Sequence, residues 1–252
     1  MSGRLYLETP QYLRDHLYQS PNNPREGIFQ YTFDESKDKS VFEYYADDAK
    51  ASHTFNEWLA AYTDDQVPWT DVYPVENLMH GYNQGWLIVD VGGNVGRDLD
   101  LFRALYPTYG RHLVLQDLPA VIAQATCADD IQRMEHDFFT AQPTIGARAY
   151  CLHSILHDWS DEYARRILTH IRDAMKPNYS KLLVNDIVLT CRQPSSKTAS
   201  IDIHMMVKLA ARERTMKGFL ALVEQVGGLN LVGTWEHPDS VTTILELERI
   251  SL

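Results

Sequence analysis

Carboxylates near the ends of three predicted strands are the side chains of this sequence best placed to bind a ligand. They are Asp90, Asp117 and Asp137. In an open parallel α/β sheet, ligands bind at the carboxyl ends of the strands, so these acids are expected to lie at one edge. Carboxylates attract cations and accept hydrogen bonds from hydroxyl groups, but they repel a pyrophosphate. The pattern therefore predicts a nucleoside-bearing ligand that carries hydroxyl groups or positive charge.

The glycines after the first strand predict a turn that holds a cofactor. Gly92, Gly93 and Gly96 let the backbone approach a ligand closely, and a helix starting near Arg97 offers free N–H groups. The dinucleotide fingerprint G-x-G-x-x-G fails because residue 94 is Asn. S-adenosylmethionine, with an amino-acid end, a sulfonium and a ribose, suits this turn. Taken alone, the glycines are equally compatible with a tight strand-to-helix turn that binds nothing.

Asp117 and Asp137 each have a structural interpretation as well as a ligand-binding one. Asp117 can accept both ribose hydroxyls, but before Leu118 and Pro119 it can also cap a helix. Asp137 stands before Phe138, where it can bind and flank an adenine ring or form a strand-end turn beside core aromatics. The three acids together favour binding more strongly than any one of them.

Five motifs in a fixed order carry a resemblance to a known family. They are Val89-Asp-Val-Gly-Gly93, Gln116-Asp-Leu-Pro119, His136-Asp-Phe-Phe139, His157-Asp-Trp-Ser-Asp161 and Glu213-Arg-Thr215. The chain resembles the S-adenosylmethionine-dependent O-methyltransferases typified by caffeic acid O-methyltransferase, and is most similar to their fungal secondary-metabolite branch. The resemblance extends from about residue 10 to about residue 248.

The resemblance implies catalysis without a metal, in which a histidine deprotonates the acceptor hydroxyl. By motif position that base is His157, and Asp186 and Glu213 orient it. A neutral imidazole suits a phenol, whose unperturbed pKa is ~10. Without the motifs, a packed or helix-capping His157 and a first-turn Glu213 would be the simpler interpretations.

The resemblance also assigns the cofactor and acceptor residues. Gly92 and its neighbours carry over to the methionine end, Asp117 to the ribose, and Asp137 with Phe138 to the adenine. The neighbours of Gly92 are Asp90, Gly93 and Gly96. Leu118 and His153 are further implied contacts of the cofactor, and Met205 and Met206 lie where relatives line the acceptor pocket. His153 replaces a lysine of many plant relatives, so a fixed charge is predicted to be lost. A pair of helical methionines is by default core packing, which remains the alternative for Met205 and Met206. S-adenosylhomocysteine is the implied product.

The elements that must position these residues change in character along the chain. Residues 1–84 contain polar, turn-broken helical segments, among them about 9–19 and 52–62, and are predicted to form a helical extension that covers the active site. Phe55, Asn56 and the segment 69–79 are expected to contribute to that cover. Residues 85–252 alternate strands and helices and end in two strands. We predict an α/β, Rossmann-like methyltransferase sheet, mostly parallel with a C-terminal antiparallel hairpin and helices on both faces.

Composition limits the classes of partner. At 252 residues with 44% apolar content the chain can bury a full core, and its net charge of −11 argues against nucleic acid. The three cysteines, Cys127, Cys151 and Cys191, form no C-x-x-C pair, which favours reduced thiols. No signal core or membrane-length apolar run is present. We therefore expect a cytoplasmic protein with a hydroxylated small-molecule substrate and no membrane partner.

Two features keep other functions open. Members of the family usually carry an N-terminal dimerisation domain, so a homodimer or a partner protein that supplies this domain is a further expectation. The alternatives to methylation of a phenolic hydroxyl on an aromatic or polyketide-like metabolite are a non-methylating pericyclic or dehydration step, and a noncatalytic partner of a full-length enzyme. Retention of His157, Asp186 and Glu213 together favours catalysis over the noncatalytic role.

Overall fold

A computed structural model describes residues 2–48, 54, 66–190 and 195–250 of the chain. The chain divides into two compact units that are interleaved along the sequence. The helical unit comprises Met1–Asp65, Leu156–Tyr163 and Ile187–Lys217, and the sheet unit comprises Gln66–Ile155, Ala164–Asp186 and Gly218–Leu252. The domain boundary expected between residues 84 and 85 stays a prediction.

The sheet unit is built on a seven-stranded sheet, counted over the described residues. Its strands are β1 (Ile88–Val91), β2 (Leu113–Asp117), β3 (Gln132–Glu135), β4 (Ala149–His153), β5 (Lys181–Asp186), β8 (Leu229–Glu236) and β9 (Thr243–Arg249), while β6 (Val188–Leu189) and β7 (Arg214–Thr215) form a separate pair in the helical unit. The spatial order is β3-β2-β1-β4-β5-β9-β8. Strands β1 to β5 pair in parallel, and β8 and β9 are antiparallel. The predicted fold class, with its C-terminal antiparallel hairpin, is confirmed.

The order of the strands places a crevice next to β1. The chain adds β2 and β3 on one side of β1 and then crosses to β4 on the other side. Such a switch in direction leaves a ligand-binding crevice beyond the carboxyl ends of the strands. The middle strands read as continuous apolar runs because both faces of the sheet are covered; Leu87, Ile88 and Val89 are fully buried.

The helices connect these strands and build the rest of the molecule. Their bounds are Ser2–Asp15, Ile28–Thr32, Val41–Ala46, Trp69–Val72, Glu76–Met79, Arg97–Leu105, Pro119–Ile122, Asp161–Ala174, Ser196–Leu209 and Met216–Val226, with 3₁₀ turns at Asp34–Ser36, Pro107–His112 and Leu156–Asp158. Helix Ser196–Leu209 packs with the N-terminal helices around Phe29 and Leu5 in the core of the helical unit.

The N-terminal helix differs from its predicted position. Thr9 followed by Pro10 has the pattern of a helix start, which predicted a helix over about 9–19. The helix instead spans Ser2–Asp15, and the Thr9 hydroxyl donates to the carbonyl of Leu5 inside it. It ends at Asp15, and two residues later Leu17 takes a positive φ. The predicted helix at about 52–62, including Phe55 and Asn56, lies outside the described residues except for Thr54.

Among the described residues, none of the helices combines the length and the apolar character needed to span a membrane. In that same part of the chain, no cluster of three or more His, Cys, Asp or Glu side chains could hold a metal ion. Cys127 and Cys151 are free thiols, and Cys191 lies outside the described residues.

Candidate active site

The glycine turn after β1 is tied to β2 and has no room for side chains. The N–H groups of Gly92 and Gly93 both donate to the carbonyl of Gln116, at 2.8 and 3.1 Å. Gly92 has a φ of +75°, and a Cβ there would lie 2.7 Å from Ile155. A Cβ on Gly93 would overlap the carboxyl group of Asp90. Both glycines are therefore required by the packing, whether or not a ligand is bound.

Asp90 is the most deeply buried acid of this turn. It is 2% exposed, and within the described residues its Oδ2 has no hydrogen-bond partner. Burial raises the pKa of Asp90 well above its ordinary range; Asp98 and Asp117 add to the rise, and His153 opposes it. A buried carboxylate oxygen without a partner is costly, so this atom is suited to receive a donor group from a ligand.

His153 is paired with an acid that the sequence analysis did not select. Its Nδ1 lies 2.6 Å from Oδ2 of Asp98, in the first turn of helix Arg97–Leu105. Burial alone would lower the pKa of His153, but the carboxylates of Asp98, Asp90 and Asp186 raise it above its ordinary value. The positive charge of the lysine that His153 replaces is thus partly restored, because Asp98 favours the protonated imidazole.

Asp117 ends β2 and receives two backbone donors. The N–H of Asn94 donates to Oδ2 at 2.9 Å, and the N–H of Leu118 donates to Oδ1 at 2.7 Å. Burial raises the pKa of Asp117, and these two hydrogen bonds oppose the rise. A carboxylate oxygen accepts more than one hydrogen bond, so each retains capacity for a ligand hydroxyl. The capping and binding interpretations of Asp117 are therefore compatible.

Asp137 and Phe138 follow β3 at the same edge of the sheet. Asp137 is exposed, and its Oδ1 accepts from the N–H of Phe139 at 2.9 Å. The ring of Phe138 comes within 3.4 Å of the position a Cβ on Gly92 would take. The structure thus brings Phe138 to the glycine turn, while the side chain of Asp137 faces solvent beside it.

In the helical unit, His157 is held by a fully buried carboxylate. The imidazole Nδ1 lies 2.8 Å from Oε1 of Glu213, whose side chain is 0% exposed. An ionised carboxylate only accepts hydrogen bonds, so Nδ1 carries the proton and Nε2 is left as the acceptor. The backbone N–H of Glu213 donates to Oδ1 of Asp202 at 2.9 Å, which holds the backbone at Glu213 in place.

Arg214 connects the two motifs that supply this pair. Its guanidinium donates to the carbonyls of Leu156 and Trp159, at 2.5 and 2.7 Å, and to Asp161 at 2.9 Å. The backbone on both sides of His157 is thereby hydrogen-bonded to Arg214, the residue that follows Glu213. Arg214 belongs to the Glu-Arg-Thr motif, but the sequence alone does not indicate its role, because its partners lie more than fifty residues away.

A second acid lies on the other side of the imidazole. Oδ1 of Asp158 is 3.4 Å from Nε2 of His157. Burial raises the pKa of Asp158 to about 6, with Glu213 adding to the rise and with His157 and Lys208 opposing it. Lys208 lies with its ammonium 5.2 Å from the ring centre of Tyr45, and burial lowers its pKa.

The remaining predicted site residues lie on β5 and on helix Ser196–Leu209. Asp186 is 1% exposed at the end of β5, where it is in register with Thr243 of β9. Met205 is buried in the core of the helical unit, and Met206 is partly buried against the same core. Met205 therefore contributes to core packing, and contact of either methionine with an acceptor stays a prediction.

A family model and curated relatives that match this chain are O-methyltransferases or methyltransferases. The chain matches the O-methyltransferase domain family over residues 11–228. It is 36% identical to O-methyltransferase mfmE of Annulohypoxylon moriforme, over 96% of this chain and 60% of that protein. The chain spans about 60% of the length of the curated relatives it matches.

Solved structures share the fold. The structure of OxaC in complex with SAH and oxaline superposes with a TM-score of 0.89 and 26% identity, covering 98% of this chain and 63% of that one. The structure of a pericyclic reaction enzyme gives a TM-score of 0.87 and 28% identity, covering 98% and 64%. The resemblance predicted from the five motifs is confirmed at the level of the family.

Proposed function

The chain belongs to the O-methyltransferase domain family, and on that basis we propose that it transfers a methyl group from S-adenosylmethionine to a hydroxyl of a secondary metabolite. The observation that carries the proposal is the buried His157–Glu213 pair, with Nδ1 and Oε1 2.8 Å apart. A histidine held in one tautomer by a carboxylate is the arrangement of a general base.

The residues of the glycine turn fit the proposed cofactor. The unpartnered Oδ2 of Asp90 suits the ammonium of a methionine end, and Gly92 and Gly93, which lack side chains, let the turn pack tightly against Ile155 and Asp90 beside that site. Asp117, with Leu118 beside it, would hold the ribose hydroxyls. Phe138 and Asp137 would flank and hydrogen-bond the adenine, and Gly96 would begin the helix that closes the turn.

When bound, S-adenosylmethionine would supply the methyl group of its sulfonium, whose carbon–sulfur bond breaks as the acceptor oxygen forms the new C–O bond, giving S-adenosylhomocysteine. The protein has to remove the hydroxyl proton. His157 accepts that proton at Nε2, and the negative charge of Glu213 stabilises the imidazolium that results. Asp186 is proposed to assist the orientation of His157, and Asp158 stabilises the same positive charge from the Nε2 side.

The acceptor is proposed to be a phenolic hydroxyl of an aromatic or polyketide-like compound. Such a proton is within reach of an imidazole base once the oxygen is positioned. Met206 and Met205 remain proposed contacts of the acceptor through their polarizable thioethers. Cytoplasmic location, and a homodimer or partner protein, are proposals of the same kind.

A second candidate function follows from one neighbour. The similarity to a pericyclic reaction enzyme favours, as the alternative, a reaction in which the cofactor is bound but not consumed. An oriented imidazole and a bound cation would serve that chemistry as well. A noncatalytic role would leave the His157–Glu213 pair without a purpose.

The mass of the product separates these functions. The chain, incubated with S-adenosylmethionine and a panel of phenolic polyketides, is analysed by mass spectrometry for product and for S-adenosylhomocysteine. We expect a product heavier by one methylene unit, in equal amount to the S-adenosylhomocysteine released. An isomeric product with unconsumed cofactor would replace methylation by the alternative, and no product of either kind would indicate a binder.

A further inference from the structure

Lys208 places a cation in the same part of the helical unit as His157. It lies in the last turn of helix Ser196–Leu209, which packs against the turn Leu156–Asp158 that carries the histidine. Lys208 and Asp158 interact electrostatically, and Oδ1 of Asp158 is 3.4 Å from Nε2 of His157. The acceptor nitrogen of the imidazole therefore has an acid beside it and an ammonium in the same group of charges.

Helix Val41–Ala46 lines this region of the helical unit with aromatic rings. Phe42 and Tyr45 are three residues apart, so they lie on one face of that helix. The ring of Phe42 is 5.6 Å from the ring of Trp159, and the ammonium of Lys208 is 5.2 Å from the ring centre of Tyr45. This face of the helix therefore reaches from Trp159 to Lys208, and its rings suit a flat aromatic ligand.

Asp158 and Lys208 compensate the burial of each other's charge only in part. Burial raises the pKa of Asp158 to about 6, although Lys208 opposes the rise. Burial lowers the pKa of Lys208, although Asp158 opposes the fall. A tight ion pair would shift both pKa values the other way. The ammonium is therefore incompletely stabilised by this acid, and a ligand anion would add to its stabilisation.

Packing of the helical unit does not explain a cation at residue 208. The adjacent Val207 and Leu209 are buried in the core, where apolar side chains serve the fold, and burying an ammonium costs free energy. One turn earlier on the same helix, burial lowers the pKa of His204 and Lys208 lowers it further, so that imidazole is neutral near pH 7. The charge at this end of the helix is thus carried by Lys208.

We propose that Lys208 determines acceptor specificity, because its ammonium binds a carboxylate of the aromatic acceptor whose hydroxyl faces His157. The inference rests on the proposed function and narrows the acceptor to an aromatic hydroxy acid. The aromatic ring of the acceptor would lie among Phe42, Tyr45 and Trp159. Lys208 touches no reacting atom, so it contributes to binding of the acceptor and leaves removal of the proton to the imidazole.

Matched acids and amides separate charge from shape. The probes are the three isomeric hydroxybenzoates and the three hydroxybenzamides, which keep the ring and the hydroxyl but lack the negative charge. Calorimetric titrations are made with saturating S-adenosylhomocysteine, so that no methyl group is transferred. We expect the wild type to bind at least one acid roughly 10-fold to 100-fold more tightly than its amide. Equal affinities for every acid and its amide, or binding of neither, would overturn the inference.

Variants at residue 208 locate the preference. In Lys208→Met the acid should bind no more tightly than the amide, and affinity for the amide should be unchanged. Lys208→Arg keeps the charge and should retain most of the preference. Lys197→Met removes an exposed lysine from the first turn of the same helix and should leave the preference intact. A preference that persists in Lys208→Met would overturn the role of Lys208.

Methyl transfer is measured separately, as release of S-adenosylhomocysteine from S-adenosylmethionine. With an accepted hydroxy acid, Lys208→Met should raise the KM of the acceptor while kcat changes little. Methylation of phenols by a wild type that binds acids and amides equally would overturn the inference alone. No methylation of any acceptor, with the preference for the acid and its loss in Lys208→Met both observed, would overturn the proposed function and uphold the anion site.

Discussion

The sheet unit and the helical unit fix their acidic side chains in different ways. In the sheet unit, Asp117 is held by backbone N–H groups of adjacent turns, and Asp90 keeps an oxygen without a partner. In the helical unit, the carboxylate of Glu213 contacts His157, and its backbone N–H donates to Asp202. The neighbouring Arg214 donates to the carbonyl of Leu156, next to the histidine. The first arrangement leaves an acceptor available for a ligand, and the second keeps the imidazole of His157 in one orientation.

This difference shows why one region tolerates a change of charge better than the other. The two N–H donors around Asp117 belong to the backbone, so no second ionisable side chain is left unpaired when Asp117 is altered, although an amide there can accept from only one of them. A buried pair such as His157 and Glu213 depends on both members, because removing one leaves the other desolvated without compensation. The comparison predicts rate defects from the helical unit and binding defects from the sheet unit.

Among the acids compared above, the largest effect is expected from Glu213→Gln. The amide still accepts from Nδ1 of His157 but no longer stabilises the imidazolium, so kcat should fall roughly 10²-fold to 10³-fold. The dissociation constant of S-adenosylmethionine should stay within about 2-fold, as a calorimetric titration would record. Glu224→Gln, an exposed change on helix Met216–Val226, is the control. A comparable loss of cofactor affinity would remove the distinction between the two regions.

A smaller effect is expected on the pH dependence of the free energy of unfolding, through Asp158. Asp158 has its pKa raised to about 6, so the folded protein binds a proton more tightly than the unfolded chain. The free energy of unfolding should therefore decrease as pH rises from about 4 to about 6, by at most about 3 kcal/mol. Asp158→Asn should remove the contribution of Asp158 and make the slope in urea unfolding shallower, while the buried Asp90 and Asp117 keep theirs.

Asp239→Asn, an exposed change in the turn before β9, should leave the slope of the wild type intact. An identical slope in Asp158→Asn would show that Asp158 is ionised normally, and the charge arrangement around His157 would need revision.

The smallest effect is expected from Asp117→Asn. The amide keeps one oxygen acceptor, so S-adenosylmethionine should bind roughly 10-fold more weakly while kcat at saturating cofactor changes little. Fluorescence or calorimetric titration measures the affinity, and Asp129→Asn, an exposed acid of the loop before β3, serves as the control. Unchanged affinity would contradict the ribose role.

The sequence predicted those parts of the fold and site that depend on local patterns. Apolar runs followed by Asp90 and Asp117 marked strand ends correctly, because strand, acid and turn are contiguous. The terminal hairpin was predicted from two strand patterns separated by a short turn. The helix start at Thr9 was wrong because burial of Leu5 in the helical core extends the helix upstream of the local signal.

Contacts between distant residues could not be predicted in the same way. Asp98 has the sequence pattern of an ordinary first-turn acid, and its contact with His153 spans 55 residues. Arg214 reaches Leu156 and Asp161 across similar separations. No spacing rule links such pairs in a single sequence, so their roles became apparent only from the folded chain.

The central claim is that the sheet unit binds the donor and His157 of the helical unit removes the proton. The most direct test measures, on one preparation of His157→Ala, both the calorimetric dissociation constant of S-adenosylmethionine and the rate of S-adenosylhomocysteine formation with an accepted phenol. We predict a dissociation constant within about 2-fold of the wild type and turnover reduced roughly 10²-fold to 10⁴-fold. Turnover near that of the wild type, or loss of cofactor binding in proportion to the rate, would contradict the claim.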